Sequence, residues 1–72
     1  MNEYSRIVIE EYCAQHKSAK SKKLNELIEL SYDIDAFASD EDAVFLERAI
    51  NREKNPELKK ALIDLDVLLF RS

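Results

Sequence analysis

The stretch SDEDAVFLERAINREKNPE, residues 39–57, holds two helix starts and the helix that lies between them. Ser39 is a good N-cap, and Asp40, Glu41 and Asp42 fill the first turn, where carboxylates offset the positive end of the helix dipole. Asp42, at the third position, can reach back to the Ser39 amide in a shortened capping box. Arg48, Arg52 and Lys54 gather toward the other end, where cations are favoured. Asn55, Pro56 and Glu57 then read as the N-cap, first and second residues of another helix, because proline lacks only an N–H that the first turn leaves unbonded. A residue before proline avoids the α region, so the earlier helix ends close to Lys54.

Nothing elsewhere in the chain argues for strands. Its 72 residues include no glycine and only one proline, so the positive-φ turns that close hairpins are disfavoured. The sequence therefore predicts a single all-α domain, residues 1–72, built as a small bundle of four helices, or of three if the first two run on continuously. No internal repeat is found. The first helix is expected over about residues 3–16, with Tyr4, Val8 and Tyr12 as its apolar stripe, Ile9 and Cys13 beside them and Ile7 off it. The second starts within residues 18–21 and reaches Asp33 or Phe37, its buried face drawn from Leu24, Leu27, Ile28, Leu30, Ile34 and Phe37. Lysines at its start oppose the dipole, so either Ser18 or Ser21 caps a frustrated end or the helix has no separate start. In the fourth helix, Leu58, Leu62, Leu65 and Leu69 form a core stripe. Ile63, Val67 and Phe70 form a second apolar face turned away from it.

Composition narrows the function classes. A hydrophobic content of 46% fits a folded domain, although a core this small supplies only roughly 3–5 kcal/mol, so a partner or second subunit would help. The lone Cys13 closes no intrachain disulfide and builds no multi-thiolate zinc site, which fits a reducing, cytoplasmic setting. No apolar run approaches the about 18 residues that span a bilayer. Glu3, Glu10 and Glu11 stand where a signal peptide would be basic and then apolar. A net charge of −4 argues against nucleic-acid binding through the whole surface.

Charge is strongly segregated along the chain. Residues 24–47 carry eight acidic side chains and no Lys or Arg, and just before them Lys17, Lys20, Lys22 and Lys23 fall within seven residues. Helix capping explains Asp40, Glu41 and Asp42, and Glu47 beside Arg48 reads as ordinary surface charge. Glu26, Glu29, Asp33 and Asp35 remain, either as solubilising charge or as an electrostatic docking surface for a basic protein partner. The Ile63, Val67 and Phe70 face is the other candidate surface, to be covered by the first helix, by a second copy in a homodimer, or by a target. An alternative reading makes Lys17, Lys20, Lys22 and Lys23 phosphate contacts of a small nucleic-acid-binding protein, reinforced by Arg48, Arg52, Lys59 and Lys60. It lacks aromatic interleaving and a recognition helix.

Catalytic and metal motifs are weak. Cys13 and His16 share a helix face and could pair as nucleophile and base, but no third group or glycine-supported oxyanion loop accompanies them. Asp33, Asp35, Ser39 and Glu41 alternate as in a calcium loop, yet Phe37, Ala38 and Val44 stand where an oxygen ligand, glycine and glutamate are needed. No enzyme, metal or cofactor is expected.

Leu24, Leu27, Ile28 and Glu29, followed by Ser39, Asp40, Glu41, Ala43, Val44, Phe45, Ala49 and Arg52, resemble the central part of the haemolysin-expression modulators Hha and YmoA. With gaps, the resemblance covers residues 24–52. It implies a four-helix fold that modulates gene expression by binding the nucleoid-structuring protein H-NS through charged surfaces. Departures are specific: Glu10, Glu11 and Tyr12 replace an arginine-rich first helix, Ile50 stands in place of an acidic contact, and the family's tryptophan near the C-terminus is missing. The expected function is thus a non-catalytic interaction or regulatory module.

Overall fold

The computed structural model describes residues 1–71 as four helices and a final helical turn. They are α1 (Glu3–Gln15), α2 (Ala19–Ser31), α3 (Asp40–Arg52) and α4 (Pro56–Asp66), and α4 passes directly into a π-helical turn, Val67–Arg71. No strand occurs among the described residues. The principal extents are 29 × 21 × 21 Å.

Each helix begins on a side-chain cap. The Asn2 side chain accepts from the Ser5 amide at 2.8 Å, and Ser18 accepts from the Ser21 amide at 3.2 Å. Ser39 and Asp42 form the full reciprocal box: the Asp42 amide donates to the Ser39 hydroxyl and the Ser39 amide to Asp42 Oδ2. Asn55 Oδ1 accepts from the Glu57 and Leu58 amides, with Pro56 opening the helix. The cap at Ser18 settles the connection of α1 and α2, which are separate helices. The Ser21 hydroxyl donates to the His16 carbonyl, and the His16 amide closes α1 on the Tyr12 carbonyl.

α4 is the centre of the bundle, packing most extensively on α1 and also on α3, while α2 packs on α1. Ile9, Leu24, Leu27, Leu46, Leu62 and Leu65 are the large, fully enclosed side chains. On α1 the buried stripe is Ser5, Ile9 and Cys13, one residue round from the expected Tyr4, Val8 and Tyr12. Tyr4 is 59% exposed, and its hydroxyl donates to Glu57. Small Ser5 and Cys13 let the backbones approach, and the Ser5 hydroxyl donates to Asp64 of α4. Tyrosine rings, with their polar tips, are better placed at the edge of such a contact.

α2 also stops earlier than expected. Ser31 is its last residue and Tyr32 its C-cap, so the chain beyond leaves the helix before Ile34 and Phe37 can join the core. Both lie in water, 95% and 90% exposed, which corrects their assignment to the buried face of α2. Leu58, Leu62 and Leu65 are buried as expected, whereas Leu69 is half-buried. Leu69 falls in the π-helical turn at the end of α4 and packs against the core from its edge.

Candidate docking surfaces

The second apolar face of α4 survives folding as an open groove of about 670 Å3 between α3 and the end of α4. Ile63, Val67 and Phe70 all line it, and α3 adds Ala43, Glu47, Ile50 and Asn51. Ile63 and Val67 are 41% and 44% exposed; Phe70 and Ile50 are half-buried against the core. Although α1 packs along α4, it contributes no lining residue, so the first helix does not cover this face. Asp66 and Arg71 stand at one end and pair at 3.1 Å, a five-residue separation that suits the π turn. Ala43, Glu47 and Ile50 recur at helical spacing immediately beside the buried Asp42, Leu46 and Ala49. Helical spacing puts these three on one stripe of α3, but only the packing of α3 on α4 turns that stripe toward the groove.

Glu26, Glu29, Asp33 and Asp35 are all exposed. The first three border a separate shallow depression on α2, together with half-buried Leu30. Asp35 lies in the connector beyond, where its amide donates to Asp33 Oδ1 at 3.0 Å and the Ala36 amide to the Asp33 carbonyl at 3.2 Å. Three of the four acidic residues thus border a depression separate from the groove of Ile63, Val67 and Phe70.

The lysine cluster divides in two. Lys20 pairs with Glu53 at 3.5 Å, and its ammonium sits 5.1 Å from the centre of the Tyr12 ring. Lys23 pairs with Asp42, a carboxylate only 5% exposed. These pairs tie α2 to both ends of α3 and bring carboxylates to the start of α2, which relieves the unfavourable placement of lysines there. Lys17 and Lys22 are the exposed members. Burial alone would push the Asp42 carboxyl up. Hydrogen bonds from Lys23 and Ser39, and the charge of Lys23, outweigh burial and hold it below the ordinary carboxylate range.

Cys13 and His16 have different neighbours. The buried Cys13 thiol points to the Ser21 carbonyl at 3.5 Å, and burial pushes its pKa up. His16 stacks on Tyr12 with ring centres 4.5 Å apart. Among the described residues, no group of three or more His, Cys, Asp or Glu side chains is gathered where it could hold a metal ion, and no helix is long and apolar enough to cross a membrane. No protein-family model, curated protein or solved structure matches the chain.

Proposed function

We propose that this protein is a non-catalytic interaction module that binds a protein partner through the groove of Ile50, Ile63, Val67 and Phe70, with the acidic residues Glu26, Glu29, Asp33 and Asp35 as a second, electrostatic surface. One observation carries the reading: the completed bundle leaves Ile63 and Val67 open on a groove that none of its own helices fills. Burial of such side chains is the main source of association free energy, and anchors of this kind dominate interfaces. The resemblance to Hha and YmoA would make the work of the module regulatory, exerted on gene expression through the protein it binds. Its departures at Ile50 and in α1, where the family carries charge, favour this groove over charged contacts of the family's kind.

Val67→Glu tests the groove, because Val67 lies outside the core and its replacement should leave the helical fold intact. Sedimentation of the purified chain and retention of host proteins on the immobilised chain are the two readouts. Association with a second copy or with a retained protein should weaken at least about tenfold in Val67→Glu. A chain that is monomeric at high concentration, and retains the same proteins with and without the substitution, would remove the groove as the binding surface.

A further inference from the structure

We infer that the connector between α2 and α3 is a docking element in its own right, and that it takes a basic amphipathic segment of a partner protein. The inference deepens the interaction reading above, but places the contact on a surface separate from the groove. Ile34 and Phe37 carry it. At 95% and 90% exposed they are the most exposed of the chain's large apolar side chains, and Tyr32 beside them is 62% exposed. A lone exposed apolar residue is ordinary; two large ones held outward three residues apart on a single short connector offer apolar surface that binding would cover. Their outward placement follows from defined local structure. α2 is closed by its Tyr32 cap, and the turn at Asp33 receives the amides of Asp35 and Ala36, so the connector leaves the helix before its apolar residues reach the core.

Charge identifies the occupant. Asp33, directly before Ile34, borders the α2 depression with Glu26, Glu29 and Leu30, and Asp35 follows one residue later. No Lys or Arg occurs anywhere from residue 24 to residue 47. A segment that places apolar side chains on Ile34, Phe37 and Leu30 would therefore meet carboxylates on its flanks, and lysines or arginines there would be matched. Basic amphipathic helices have this composition and bind acidic surfaces that expose apolar side chains. An anionic bilayer would meet the same apolar tips but would be repelled by the four carboxylates.

The test is selection of a random displayed peptide library on the immobilised full-length chain, followed by titration of the enriched peptide. Enriched peptides should combine apolar residues with Lys or Arg. Their binding should fall at least about tenfold with Ile34→Ser/Phe37→Ser, fall similarly with Glu26→Lys/Glu29→Lys, weaken with salt, and stay unchanged with Val67→Glu. Thermal melting of the variants should match the wild type, since every replaced side chain lies outside the core. Failure to enrich cationic peptides, or binding that ignores both double substitutions, overturns the proposal. Binding lost only in Val67→Glu overturns it while upholding the groove. Zwitterionic phosphatidylcholine vesicles that bind through Ile34 and Phe37, with no cationic peptide enriched, would assign the connector to a lipid surface instead.

Discussion

Asp42 does three jobs with one carboxylate. It completes the cap of α3, receives the Lys23 ammonium from α2, and does so almost wholly inside the protein. Capping interactions of this sort are worth about 1 kcal/mol, and a buried polar group deprived of its partner costs about 1–3 kcal/mol. Asp42→Ala should therefore destabilise the chain by about 1–3 kcal/mol in urea unfolding at neutral pH. The pH dependence has a definite sign. Because the folded carboxyl is held below its unfolded value, its contribution stands in full above that unfolded value, near pH 4, and is lost as pH falls through the folded value. The gap in stability between wild type and Asp42→Ala should thus shrink on acidification below about pH 4, as repeated urea titrations would show. A gap that widened in acid would contradict the Lys23 and Ser39 contacts.

The break between α1 and α2 shows how an element boundary is built from small polar groups in a chain without glycine. Ser18 caps α2, and the Ser21 hydroxyl takes up the carbonyl of His16 where α1 ends. The Cys13 thiol rests on the Ser21 carbonyl, so the junction is enclosed as well as bonded. Removing the cap should cost about 1 kcal/mol, and the loss should be local. In Ser18→Ala, amide exchange is expected to quicken in the first turn of α2 while α4 keeps its protection. Uniform acceleration along the chain would mean that the junction opens only with the whole fold. Lysines at this boundary looked like a defect or a phosphate site in the sequence. Two of them turn out to have partners at opposite ends of α3, separated from them by 33 residues for Lys20 and Glu53.

Taken as one body, the protein depends on a few leucines that α4 shares with the other helices. Leu62 is fully enclosed, and truncating such a side chain costs about 2–5 kcal/mol, comparable with the roughly 3–5 kcal/mol expected for a core of this size. Leu62→Ala should leave the purified chain largely unfolded, with helical circular dichroism signal lost well below the wild-type melting temperature; a change in melting of only a few degrees would show a core more tolerant than this. Much of the architecture was legible beforehand. Ser39, Asp42, Asn55 and Pro56 act within one helical turn, so their meaning does not depend on distant residues, and the lack of glycine bears on every turn at once. The all-α form follows from those local rules together with the Leu58, Leu62 and Leu65 spacing, whereas the count of four helices rather than three waited on the Ser18 cap that separates α1 from α2. Rotation of α1 onto Ser5, Ile9 and Cys13, the partners of Lys20 and Lys23, the α3 wall of the groove and the exposure of Ile34 and Phe37 belonged to the tertiary structure alone. Each depends on which helix lies opposite and on where a helix stops relative to it. Such contacts join residues far apart in the chain, and no local pattern encodes the angle at which two apolar faces meet.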